Sequence, residues 1–321
     1  MSRKSSSKVI SPKVAESVKL LTSTKPADIY AFDESDPRPV VNNGRLQDED
    51  AQILAVWKHA WSAAGWNPRV LNLDHAKLHP DYEAAENDIK TKVPMHPDDE
   101  YNQLCYLRHF AVAAVGGGWM SDYDTVPVGT ELTADKHGVN LPNGGRFTSF
   151  DAPASALIVG SAEEWDRIAK RLVEEGINAK NDKDSLFPYS NPKFAGWFLF
   201  SDMQSFKKIL GLGEVISLDG EHHIKGIHPS HIESLDKGTT VCDLTKKWWA
   251  IHFAHNAFGL YGHGELHKCK CRALVMAATL QHISDTCRGI KFHFDEPGLH
   301  SLHSGTFLGH QQAKAKPRRV G

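Results

Sequence analysis

Apolar positions along this chain recur at two spacings, and their alternation lays out strands and helices in turn. Asp28 to Phe32 (DIYAF) reads as a short strand. Asp48 to Ala64 follows as a helix, because Ile53, Trp57, Ala60, Trp61 and Ala64 fall on one stripe and Gly65 stops it. Arg69 to Leu73 (RVLNL) is the next strand. Pro94 to Glu100 reads as a loop into a helix over Tyr101 to Val115, with Asp98, Asp99 and Glu100 suited to its positive N-terminal end. Ala154 to Val159 is a further strand. Ser161 then caps a helix over Ala162 to Glu175, with Glu164 completing a capping box. Phe194 to Phe200 reads as a strand, and Ser201 or Asp202 opens the next helix. Trp248 to Phe253 (WWAIHF) is a late strand and Glu265 to His282 a closing helix. Strands alternating with helices of this length imply βαβ units, hence an α/β fold with a mainly parallel sheet and helices on its faces.

Composition narrows the class. The chain has 321 residues, 40% hydrophobic and 24% charged, an ordinary globular balance. A formal net charge of −2 gives no field that would draw in nucleic acid. No apolar run is long enough for a membrane span. The N-terminus, MSRKSSSKVISPKV, is basic and lacks an apolar signal core; a tail or a transit segment is expected there, not a secretion signal. Five cysteines do not suggest a disulfide framework, so a reducing, cytoplasmic setting is expected. The organisation predicted is a flexible basic tail over 1–25, one domain over 26–305 with a loop-rich second half, and a basic tail over 306–321.

The densest chemistry lies in LCYLRHFAVAAVGGGWMSDYDTVPV, from Leu104 to Val128. A helix carrying Arg108 runs into Gly116, Gly117 and Gly118, then into a strand ending in Asp122-Tyr123-Asp124. Side chains two apart on a strand share a face, so both carboxylates are expected to converge on one point. Such a pair suits a hard divalent cation, Mn²⁺ or Mg²⁺, which in turn would hold a diphosphate. The glycines would let a ligand approach the backbone closely. Arg108 sits at the edge of the apolar stripe of Leu104, Leu107, Ala111 and Val115, placed for a structural ion pair or for a sugar or phosphate contact. His252 ends an apolar strand and is a candidate ligand, with His255 in reserve. A zinc reading of His263, His267, Cys269 and Cys271 fails on its spacing, and a helix with incidental thiols is expected instead. Trp57, Trp61, Trp165 and Trp197 are expected mostly at core positions.

The stretch LRHFAVAAVGGGWMSDYDTVPV resembles the core of the DXD-containing glycosyltransferases with a GT-A fold, of the capsular-polysaccharide and mannosyl- or GlcNAc-transferase type. Specific likeness covers about residues 100–128, with a looser one at the first strand and helix and at AIHF, 250–253. It departs from the pattern at Cys105, where many members carry aspartate, and in an Arg108 one residue further from the D-x-D. The resemblance implies Mn²⁺- or Mg²⁺-dependent transfer from a UDP- or GDP-sugar to a glycan, glycoprotein or lipid-linked acceptor, with retained configuration. It implies Asp122 on the sugar or ribose side, Asp124 on the metal, His252 completing the metal shell, and Phe32-Asp33 near the base or ribose. Asp202 is the candidate carboxylate facing the acceptor or the oxocarbenium-like centre, with Asp151 its rival. Two other readings stay open: a nucleotide-sugar-binding protein without catalysis, and a metal-dependent phosphohydrolase.

Overall fold

The computed structural model describes residues 26–33, 46–129, 132–138, 140–150, 156–181, 186–188, 192–218, 224–225, 241–246, 248–253, 272–287 and 291–292. The first half runs β1 (Asp28–Phe32), α1 (Leu46–Ala63), β2 (Asn67–Leu71), α2 (Leu73–Ala76), α3 (Tyr82–Lys92), α4 (Glu100–Ala114), β3 (Gly117–Ser121) and β4 (Thr125–Pro127). Next come α5 (Ala134–His137), β5 (Thr148–Ser149), β6 (Leu157–Ser161), α6 (Ala162–Asn178), β7 (Phe187–Pro188), β8 (Phe198–Leu199) and α7 (Asp202–Gly211). The chain closes with β9 (Ile216–Ser217), β10 (Ile224–Lys225), α8 (Val241–Thr245), β11 (Ala250–His252) and α9 (Arg272–Thr286).

A six-stranded sheet in the order β2-β1-β3-β6-β5-β9 forms the centre. Its β2-β1, β1-β3 and β5-β9 pairs are parallel, and β6 runs against both neighbours. The expected α/β class with a mostly parallel sheet therefore holds. A second sheet, β10-β11-β4, lies outside that expectation.

Strand periodicity divides the interior into two layers. Ile29, Ala31, Trp119, Leu157 and Val159 face a core built with Trp57, Trp61 and Trp66 and with Met276 and Leu280 of α9. Tyr30, Phe32, Met120 and Ile158 face the other core, with Tyr106 and Phe110 of α4, Trp165 and Leu172 of α6 and Phe206 of α7. The sheet is thus covered on both faces, which is what lets parallel strands be apolar throughout.

Local signals act as expected at several helix ends. Gly65, at φ +83°, ends α1. Asp99 accepts the Asn102 N–H at 3.3 Å to cap α4, and Ser201 and Gln204 form a capping box on α7. Ser161 caps α6, but the expected box with Glu164 does not form. The Glu164 carboxylate instead accepts the Phe147 N–H at 2.8 Å and pairs with Arg167, so tertiary partners claim it. The strand expected over Phe194–Phe200 shrinks to two residues, because Pro192–Phe194 form a 3₁₀ turn. Cys242 and Cys287 form a disulfide joining α8 to the end of α9, and Cys105 is buried in α4. No helix among the described residues is long and apolar enough to cross a membrane.

Candidate functional site

The strand β3 stops at Ser121, one residue before the first carboxylate. Asp122 to Asp124 form a turn, closed by the Thr125 N–H donating to the Asp122 carbonyl at 3.0 Å. The carboxylates therefore do not converge by strand alternation, as the sequence suggested, but by a reversal that carries the chain from the central sheet into the second one. Two tryptophans brace that turn. Trp57 Nε1 donates to Ser121 Oγ at 2.8 Å, and Trp61 Nε1 donates to the Thr125 carbonyl at 3.0 Å. Four residues apart on α1, they point the same way and grip the turn at both ends. The Phe253 N–H then donates to the Asp124 carbonyl at 2.8 Å, and the antiparallel register sets His252 opposite Thr125.

These restraints gather a charged cluster. Arg108 projects from α4, with Nη1 2.9 Å from Asp122 Oδ1 and Nη2 3.1 Å from Asp202 Oδ2. Asp202 opens α7 and also faces His109 Nε2 at 3.8 Å. Across the turn, Arg272 Nη1 lies 3.0 Å from Asp124 Oδ2, and His252 Nε2 lies 3.3 Å from Asp124 Oδ1. Asp124 Oδ1 makes no hydrogen bond among the described residues. Asp122, Asp124 and His252 each offer a ligand atom within 4.8 Å of the others.

The two aspartates of the turn are driven apart electrostatically. Burial pushes the Asp122 carboxyl above its ordinary value, which Arg108 only partly offsets and the neighbouring Asp124 charge reinforces. Burial also pushes Asp124 up, but His252 and Arg272 outweigh it and leave Asp124 below the usual range. Asp202 behaves like Asp124, with Arg108 and His109 overcoming burial. Burial lowers His109, and its hydrogen bond with Asp202 only partly offsets this. Two close carboxylates with split affinities for a proton form a polarised site.

Other expected residues fall elsewhere. Gly117 and Gly118 lie at the far end of β3, about 13–17 Å of strand from the carboxylates, not beside them. A Cβ on Gly117 would sit 2.5 Å from the Ala162 backbone nitrogen, so this glycine serves the packing of β3 on the start of α6. Phe32 is buried in the core, whereas Asp33 follows the carboxyl end of β1 and is partly exposed. Asp202 does not present a carboxylate to an acceptor: it is 5% exposed and engaged with Arg108. Trp57, Trp61 and Trp165 are buried as expected, but Trp197 is 47% exposed, edge-on to His96. Asp151, His255 and the group His263, His267, Cys269 and Cys271 lie outside the described residues.

Sequence reasoning missed Arg272 and His109. Arg272 carried only a weak signal: it precedes the apolar run Ala273 to Ala278, but it follows Lys268 and Lys270 inside the helix expected over Glu265 to His282, and the observed helix start at Arg272 is what sets it at the dipole end that disfavours positive charge. Such a residue implies an acidic partner. His109, next to Arg108, carried none.

A family model described as Domain of unknown function (DUF8765) matches residues 9–196, more than half of the chain. The chain belongs to this family. The matched segment carries Arg108, Asp122 and Asp124, while Asp202, His252 and Arg272 come from beyond its end. No curated protein matches the chain.

Proposed function

We propose that this protein is a metal-dependent glycosyltransferase that moves a sugar from a nucleoside-diphosphate sugar to a hydroxyl of a carbohydrate-bearing acceptor, retaining configuration. One observation carries the reading: Asp122, Asp124 and His252, brought from a turn and from a strand of another sheet, converge within 4.8 Å. The donor set fits a hard divalent ion. Carboxylate oxygens suit Mn²⁺ and Mg²⁺, and the buried Asp124 Oδ1 faces the His252 imidazole at 3.3 Å while Arg272 holds the other oxygen. Mn²⁺ or Mg²⁺ held there would supply Lewis-acid stabilisation of the charge that builds on the leaving diphosphate.

The chain's own residues supply position and charge. Arg108, fixed between Asp122 and Asp202, sets a permanent cation beside the site, where developing negative charge is stabilised without reorganisation. Asp202 is a positioning residue for Arg108. The parallel strands β1, β2 and β3 end at Phe32, Leu71 and Ser121, and ligands of open α/β sheets lie beyond such carboxyl ends. Asp33 stands on that edge and is the group assigned to the donor's ribose or base. A GT-A-like arrangement is supported by β6 running against β3 next to the D-x-D turn.

The test is a thermal-shift screen of UDP- and GDP-sugars with and without Mn²⁺. A ligand at about 100 times its Kd stabilises by about 2.7 kcal/mol, or roughly 5–10 °C for a domain of this size. A Mn²⁺-dependent shift with one nucleotide family, lost in Asp124→Ala, is the expected result. No shift with any donor would refute the reading. Product analysis then separates the alternatives, since a non-catalytic binder forms no glycoside and a phosphohydrolase releases phosphate.

A further inference from the structure

The three carboxylates of the site already have resident cations. Arg108 serves Asp122 and Asp202, and Arg272 serves Asp124 with a 3.0 Å contact. Among the described residues, three negative and two positive side chains leave this cluster one charge short of neutral before either histidine is counted. Both arginines are buried, and an arginine stays charged at any working pH, so this compensation is permanent. A divalent cation arriving alone at Asp124 would meet the Arg272 guanidinium and turn the cluster net positive. A nucleoside diphosphate arriving with it brings two or three negative charges and returns the cluster to a net negative charge.

Resting on the metal-site reading above, we propose that Arg272 is an exchangeable counter-ion: it holds Asp124 in the metal-free protein and passes to the donor's diphosphate when the cation takes Asp124. The residue type and position both serve this exchange. A guanidinium pairs with carboxylate and phosphate through the same planar fork, so it can trade one for the other, as an ammonium point charge does less well. Its carbon Cζ also lies 6.0 Å from the ring centre of Tyr123, the middle residue of the turn, so it reads the turn through a ring face as well as a carboxylate. Arg272 opens α9, whose apolar residues Ala273, Met276 and Leu280 are anchored in the core, so the arm moves while its base stays. The consequence is an order of events. Metal alone binds weakly, nucleotide and metal bind together, and the diphosphate is the trigger that releases Asp124.

The experiment is a Mn²⁺ titration of the full chain followed by the electron-spin-resonance signal of free Mn²⁺, alone and with saturating UDP or GDP. Wild-type protein should bind Mn²⁺ at least ten-fold more tightly with the right nucleotide, and by reciprocity Mn²⁺ should tighten the nucleotide by the same factor. Arg272→Gln should bind Mn²⁺ alone at least ten-fold more tightly than wild type and lose most of the nucleotide's enhancement. Arg272→Lys, which keeps the charge, should bind Mn²⁺ alone as wild type does. If Arg272→Gln binds Mn²⁺ no better than wild type, or if wild type shows no coupling, the exchange is wrong while the metal site stands. If wild type binds no Mn²⁺ even with nucleotide, or if binding survives Asp124→Asn, the metal site itself is wrong. Where Arg272→Gln does not fold, an absence of coupling in wild type still refutes the exchange.

Discussion

Removing Arg108 is the sharpest test of how this site is held together. Arg108 is 9% exposed, and its guanidinium bonds two carboxylates from different elements, Asp122 after β3 and Asp202 at the start of α7. Arg108→Ala leaves both without their cation. Breaking a buried pair from one side costs about 3–5 kcal/mol, chiefly the penalty of the charge left behind. For a domain of this size that is a fall of roughly 6–20 °C in Tm. The lower half of that range is expected, for two structural reasons. The Asp122 side chain is 25% exposed and already biased toward protonation by burial, and Asp202 keeps His109 beside it. The cost also has a signed pH dependence. Asp202 sits below its ordinary value because Arg108 and His109 overcome burial, so its contribution is full above the unfolded carboxylate pKa and lost as pH falls through the folded one. Without Arg108 the carboxyls can escape their penalty by binding protons, so the gap between wild type and variant should narrow between about pH 7 and about pH 4. Thermal melts across that range measure it, and a double-mutant cycle with Asp202→Ala should show a coupling above about 1 kcal/mol. A loss below about 1 kcal/mol at pH 7, or one that is equal at both pH values, would refute the argument.

Two further predictions concern the frame around the site. Trp57→Phe keeps most of the apolar contact but removes the N–H that Ser121 Oγ accepts, costing about 1–3 kcal/mol by denaturant melts. The same variant should weaken Mn²⁺ and nucleotide binding, because Ser121 precedes the turn; unchanged affinity with lowered stability would assign the bond to the fold alone. Gly117→Ala places a Cβ 2.5 Å from the Ala162 nitrogen at φ +74°, whereas Gly116→Ala, at φ +102°, meets nothing within 4 Å. Backbone strain of about 1–3 kcal/mol applies to both, and only Gly117→Ala adds a collision with backbone that cannot yield, so it should be clearly the less stable protein. Equal melting temperatures would mean that the close approach of β3 to α6 is not required.

What the sequence revealed and what it hid divide along a physical line. The stripe of Ile53, Trp57 and Trp61, the cap at Ser161 and the glycine stop at Gly65 are local, and each predicted its element within a few residues. The carboxylate pair was legible for the same reason, since two aspartates flanking one residue after a glycine run are rare enough to mean something without a partner in view. Its geometry was not legible. Period-two reasoning put both side chains on a strand, but the chain reverses just after Asp122, whose carbonyl accepts the Thr125 N–H, and the two tryptophans that brace this turn are sixty-four positions from the residues they hold. The same holds for the charges. Arg108 and Asp202 stand ninety-four positions apart, and Arg272 and Asp124 one hundred and forty-eight. No periodicity spans such gaps. A buried ion, however, must be compensated, and that requirement can be read from sequence as a question even where its answer cannot. Arg108 at the edge of an apolar stripe posed it and was noticed. Arg272 posed it less clearly, because the sequence set it beside Lys268 and Lys270 inside an expected helix, and only the fold puts it at a helix start. A cation that both local packing and the helix dipole disfavour has to be held by something distant, and here that something is the turn between the two sheets.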